Sequence, residues 1–240
     1  MTILLLAALI PPIYLMWRIY QMDKVEREPP GLVFRVFLAG AVSVIPALFL
    51  ESYGGQILGQ ALPSDSPYYL PIFFLIVVAW SEEGVKHFAL KHTTWNNPNF
   101  NYRFDAIVYS TAAALGFAAA ENIEYVFAYG LSVALTRAVT AIPGHCIFGL
   151  FMGYYYGTAK YFRQKGNAGR ARRYQILSIL IPVLMHGFYD YTATSSSSTG
   201  QMLFLVYIII MDIIAIASIR KFAREDEALE NTYDIYHLEQ

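Results

Sequence analysis

Apolar stretches of about 20 residues recur along this chain, each long enough to cross the roughly 30 Å hydrocarbon core of a bilayer as a helix. They fall at 2–20, 32–50, 69–91, 104–128, 133–159, 174–192 and 201–220, which makes seven expected spans. In hydrocarbon every backbone amide and carbonyl must find its partner inside the protein, so a chain of this kind is expected to fold as a bundle of transmembrane helices. Composition agrees, with 56% hydrophobic and only 15% charged residues, against about 25% charged in a soluble domain. The expected fold is all-α and polytopic, with residues 1–224 forming a single membrane domain and the acidic segment 225–240 a solvated cytosolic extension.

The first stretch lacks the basic lead and the small-residue cleavage pattern of a signal peptide, so it reads as a retained helix kinked at Pro11-Pro12. A net charge of −1 argues against a nucleic-acid partner. The only cysteine, Cys146, excludes an intrachain disulfide and a cysteine-based zinc knuckle.

Sixteen of the 17 Lys and Arg residues fall in loops or helix ends on one side of this seven-span arrangement, and only Arg137 falls on the other. The positive-inside rule then places the N-terminus outside and the C-terminus in the cytoplasm, as in a plasma-membrane protein.

Against this apolar background four groups of ionisable residues stand out: Glu82-Glu83 with Lys86, Glu121-Asn122, His145, and His186 with Asp190. A charge near the bilayer centre costs about 3 kcal/mol even on a lenient scale, so such residues mark an ion path, a proton relay or a catalytic centre. Counted at 1.5 Å per residue from the external helix ends, Glu82 lies ~20 Å deep, His145 ~18 Å, Glu121 ~12 Å, His186 ~9 Å and Asp190 ~3 Å. The set therefore occupies the middle and extracytoplasmic half of the membrane.

Spacing groups these residues further. His186 and Asp190 share a helix face, as do Glu82 and Lys86, whereas Glu83 lies ~100° around from Glu82. Adjacent carboxylates need not meet at one spot, so one serves chemistry while the other is neutralised. His145, Gly149, Gly153 and Gly157 form a stripe at four-residue intervals that lets another helix approach closely and turns His145 inward. Cys146 points away from His145, His87 and His92 read as interfacial, and Asp212 is a lone acid without an evident partner. The residues alone leave two classes open: hydrolysis by activated water, or a proton- or cation-coupled transporter using the same groups as a relay. No inverted repeat supports the second.

Read as motifs, Glu82–Lys86 is EExxK, Phe117–Asn122 FxxxEN, His145–Gly149 HxxxG and His186–Asp190 HxxxD. In this order on consecutive spans they resemble the PrsW family of intramembrane proteases, and the stretch Asp23 to Glu28-Pro29 is similar to that family's first cytoplasmic loop. The resemblance implies a protease that cuts a single-pass membrane protein of the anti-sigma-factor type near its extracytoplasmic boundary. It also implies distant kinship to type II CAAX prenyl endopeptidases, which carry a histidine where this chain has Glu121. An inactive relative that binds membrane proteins without cutting them is the remaining alternative. In the expected mechanism Glu82, with Glu83 as alternate, activates water, His145 and His186 hold the water or stabilise the oxyanion, and Asp190 orients His186. A metal version has His145 and His186 with a carboxylate from Glu121 or Asp190 on zinc. The metal-free version is slightly preferred because no HExxH helix is present.

Overall fold

The computed structural model describes residues 1–229. Ten α-helices follow one another: α1 (Thr2–Tyr20), α2 (Pro30–Val42), α3 (Val44–Ala61), α4 (Tyr69–Ile72), α5 (Trp80–Thr94), α6 (Asp105–Tyr129), α7 (Leu131–Val139), α8 (Ala141–Gln164), α9 (Ala168–Ala193) and α10 (Ser198–Arg224). A π-helical segment, Phe73–Ala79, joins α4 to α5. The protein is a multi-pass membrane protein, with six helical runs among the described residues long and apolar enough to cross a bilayer: 2–20, 30–61, 105–129, 131–164, 168–193 and 198–224. The remaining run, 69–94, contains the expected third span, 69–91, and every 18-residue stretch of it includes Glu82, Glu83 and Lys86.

Local chemistry sets the breaks. Pro30 opens α2, where its missing amide hydrogen costs nothing. Ser43 separates α2 from α3, its hydroxyl donating to the Gly40 carbonyl at 2.7 Å. Thr140 (φ −125°, ψ −74°) parts α7 from α8. Pro143 then sits in the first turn of α8, where the amide it lacks has no intrahelical acceptor. Pro11 and Pro12 lie within α1, which continues through them.

The fourth and fifth expected spans, now α6 and α7–α8, form the centre. In α6, 83% of the most apolar stretch is buried, against 11% in α10, whose Ile209, Ile213 and Ile216 face outward. The glycine stripe faces α6 as expected: a Cβ on Gly153 would strike the Ala106 backbone, and one on Gly149 the backbone of Ser110 and Thr111. On another side α2 and α6 meet through Gly40 and Gly116, where an added methyl would run into the Ala113 and Phe37 carbonyls. Such contacts are the packing that small residues permit in hydrocarbon.

At the far end of α6, residues 226–229 meet the start of that helix, with Glu227 and Ala228 exposed. Asp226 Oδ1 accepts the Phe104 amide at 2.8 Å, Arg103 N donates to the Glu227 carbonyl at 3.0 Å, and Leu229 is buried. An acceptor there supplies what the start of a helix lacks. The rest of the acidic segment, 230–240, lies outside the described residues. Burial, with Asp226 nearby, pushes the Asp23 carboxyl up to about 6, and burial pushes Glu28 up to about 7.

Candidate active site

The π-helical segment immediately precedes the paired glutamates, a position where π-turns commonly serve a functional site. Gly187 of α9 packs on Leu75 of this segment with no room for a methyl group, so α9 comes close enough to place His186 against the glutamates. Glu83 is fully buried; its Oε1 accepts a hydrogen bond of 2.6 Å from Lys86 Nζ and one of 2.8 Å from His186 Nδ1. Glu82 Oε2 lies 3.3 Å from Lys86 Nζ and 3.9 Å from His186 Nδ1. The adjacent carboxylates differ in surroundings. Glu83 is tied to the cation and the imidazole, while Glu82 lines a cavity of about 370 Å³.

Around that cavity stand Glu121 from α6, Arg137 from α7, His145 from α8, and His186 and Asp190 from α9. His145 Nδ1 lies 3.2 Å from the Lys86 ammonium, which can only donate, so the other ring nitrogen, Nε2, donates to Glu121 Oε2 at 3.0 Å. On His186, Nε2 faces Asp190 Oδ2 at 3.3 Å, the i,i+4 pair expected from spacing. Carboxylates on both nitrogens suit a doubly donating imidazolium. The imidazoles are 5.3 Å apart between centroids; Phe148 stacks on His186 at 5.0 Å, and Lys86 lies 4.4 Å from the Phe117 ring centroid. These rings exclude water from one side of a strongly charged site, where electrostatic interactions gain strength.

The expected residues thus converge, with one distinction of role. Asn122 holds helices together: its Nδ2 donates to the Ala8 carbonyl at 3.1 Å and its Oδ1 accepts from Arg137 Nε at 3.0 Å. The wide spread of depths estimated from helix rise collapses, since Glu83 and His186 touch; the helix ends used as reference do not share one level. His87, expected at the interface, is buried against Ser178 Oγ at 3.0 Å, whereas His92 is exposed. Cys146 is buried without touching the site, and Asp212 lines a separate small recess beside Tyr207.

Arg137 and Glu51 are among the cavity residues that lie outside the four motifs. Arg137 was noted only as the lone basic residue on its side; its Nη2 lies 2.8 Å from Glu121 Oε2, at an angle too oblique for a hydrogen bond, and its guanidinium lies 4.0 Å from the Tyr125 ring centroid. Glu51, on α3, also lines the cavity. An acid at the end of an apolar run was the available signal for it.

Donors for a metal are present. Glu82, His145 and His186, all buried, each offer an atom within 4.8 Å of the other two, and Glu83 Oε2 is buried with no partner. Two imidazoles and a carboxylate are a fitting donor set for Zn²⁺. The set differs from the one expected: Glu121 is engaged by Arg137 and His145, and Asp190 stands on the far nitrogen of His186. Both nitrogens of each ring already have partners, so binding an ion requires each histidine to give one up.

Residues 28–217 match the family described as PrsW family intramembrane metalloprotease. The chain is 31% identical over 221 residues to "Protease PrsW" of Oceanobacillus iheyensis, covering 91% of this chain and 95% of that protein. It is 32% identical over 223 residues to the Clostridioides difficile protein of the same name, covering 91% of each, and 30% identical over 192 residues to that of Bacillus subtilis, covering 80% and 83%. No solved structure matches the chain significantly.

Proposed function

The chain belongs to the PrsW family and is an intramembrane protease, and on that premise we propose that Glu82 activates the water that hydrolyses a peptide bond of a single-pass, anti-sigma-factor-like membrane protein. The observation that carries this reading is the unequal burial of the glutamate pair: Glu82 opens on the cavity, and Glu83 lies beneath it. Glu82 takes a proton from water and returns it to the leaving amine. His186 stays on Glu83 through Nδ1, and its Nε2 leaves Asp190 to donate to the oxyanion that forms on the scissile carbonyl. Lys86 balances the charge of Glu83 beneath it, and Arg137 with His145 fixes Glu121 at the cavity wall.

Zinc, held by Glu82, His145 and His186, would supply Lewis-acid polarisation and a more acidic water. With seven crossings and the N-terminus outside, the site lies in the middle to extracytoplasmic half of the plasma membrane, and the cut falls near the substrate's external boundary. The transport relay loses its support, because the relatives that match most of the chain are named as proteases.

The test works whichever membrane protein is cut. The gene is deleted, restored as wild type or as Glu82→Gln/Glu83→Gln, and external fragments of membrane proteins are quantified by mass spectrometry. Fragments released only by the wild type support the proposal and locate the cut; a terminus at the cytosolic boundary contradicts the topology. Identical profiles at equal expression would sink the proposed substrate class.

A further inference from the structure

A second group of acids lies at the other end of α6, ~24 Å along the helix from Glu121. Asp23 and Glu28 come from the connection between α1 and α2, and Asp105 is the first residue of α6. Their exposures are 1%, 2% and 0%, so three carboxylates are removed from water together. Each places an oxygen within 4.8 Å of the other two. None of the three is in an ion pair among the described residues. The neighbouring Lys160 ammonium donates to the Phe100 carbonyl at 2.8 Å and lies over the Phe100 ring, so it reaches Asp105 and Glu28 only through space, beyond ion-pair distance.

Hydrogen bonds satisfy only part of the group. Asp105 Oδ2 accepts the Asn101 and Tyr102 amides at 2.9 and 2.7 Å, and the Tyr109 hydroxyl donates to Glu28 Oε2. Asp23 Oδ2 and Asp105 Oδ1 are buried and accept no N–H or O–H, while the Glu28 carboxyl faces Asp105. A buried, unpaired carboxylate oxygen is costly, and two of them in one oxygen-lined cluster call for a positive charge between them. Two oxygens bound to one Ca²⁺ at about 2.4 Å each lie at most about 4.8 Å apart, a limit that the three oxygens meet; Mg²⁺, with shorter bonds, draws its ligands closer and keeps more of its water. Among metals, an all-oxygen set of carboxylates selects the hard divalent cations.

We infer that Asp23, Glu28 and Asp105 form a Ca²⁺ site, separate from the protease centre, that ties the α1–α2 connection to the start of α6. Asp226, whose Oδ1 accepts the Phe104 amide, adds a fourth negative charge beside Asp23, so the segment after α10 belongs to the same junction. The cation thus fastens the end of the helix whose other end carries Glu121 and Asn122.

Terbium luminescence tests this without reference to proteolysis. The full chain, purified in an uncharged detergent and stripped with EDTA, is titrated with Tb³⁺ while tyrosine is excited, since Tyr109 touches Glu28 and lies within transfer range. The expected result is saturable luminescence displaced by Ca²⁺ and less effectively by Mg²⁺. Asp23→Asn and Glu28→Gln should each weaken Ca²⁺ competition by roughly tenfold or more, whereas Glu82→Gln and His186→Ala should leave it unchanged. Luminescence that does not saturate, that Ca²⁺ does not displace, or that survives intact in Asp23→Asn/Asp105→Asn would overturn the site; the three acids would then share protons. Should Asp105→Asn fail to fold through loss of its hold on the Asn101 and Tyr102 amides, Asp23→Asn decides alone, because it removes an oxygen that has no protein partner.

Discussion

His186 Nδ1 donates a 2.8 Å hydrogen bond to Glu83 Oε1 across 103 positions of sequence, and the same oxygen accepts from Lys86 at 2.6 Å. One carboxylate oxygen thereby joins α9 to α5 and gathers two cationic side chains. Glu82, one residue earlier, keeps its place on the cavity wall.

The two glutamates should therefore fail differently. Glu82→Gln is expected to lower cleavage by roughly 10²–10⁴-fold with little change in thermal unfolding. Glu83→Ala should abolish cleavage and also cost about 3 kcal/mol of stability, because buried Lys86 and His186 lose their shared counter-charge. Unfolding in detergent, followed with fragment release, checks both; equal stability losses would contradict the division of roles.

Arg137 pairs with Glu121 and also holds Asn122. Arg137→Ala should reduce both activity and stability, the latter by about 2–4 kcal/mol, since the Glu121 charge loses its strong-base partner. Adding Glu121→Gln should restore most of the stability and none of the activity. A double variant whose stability losses simply add would show that the pair is not coupled.

Two glycines in α-helices make opposite predictions. Nothing lies within 4 Å of a Cβ built on Gly84, inside the EExxK motif, so Gly84→Ala should raise stability by up to about 1 kcal/mol. A Cβ on Gly153 has no space against the Ala106 and Ile107 backbone, and Gly153→Ala should cost about 1–3 kcal/mol or prevent folding. Thermal unfolding of the pair measures how tightly α8 is seated on α6.

Metal content distinguishes the donor set found from the one expected. If Glu82, His145 and His186 hold zinc, elemental analysis should find it at stoichiometry in the wild type and absent from His145→Ala and His186→Ala. Glu121→Gln should retain the metal. Loss of zinc in Glu121→Gln with retention in Glu82→Gln would favour the other carboxylate.

The four motifs were legible because ionisable side chains in apolar runs are expensive, and because four-residue spacing places His186 above Asp190 and Glu82 above Lys86. Arg137 was harder to read, since a basic residue at a helix end serves topology as readily as chemistry. Glu51 sits where an apolar run extends past the length needed to cross, and run length does not reveal which face meets the site. Of the acids at the far end of α6, Asp23 and Glu28 come from a connection, where no periodicity ties them to Asp105.

The sequence by itself determined that this is a helical membrane protein with a polar, protease-like set of residues in its interior. Hydrophobic length and local spacing are properties of single segments, so they hold whatever the neighbouring helices are. Only the tertiary structure decided which groups meet: that Glu83 is neutralised while Glu82 faces the cavity, that Arg137 closes the site, and that Asp23, Glu28 and Asp105 converge. Those outcomes depend on how close helices approach and how they are rotated. Backbone-level contacts such as Gly153 on Ala106 and Gly187 on Leu75 set both, and they join residues far apart in the chain.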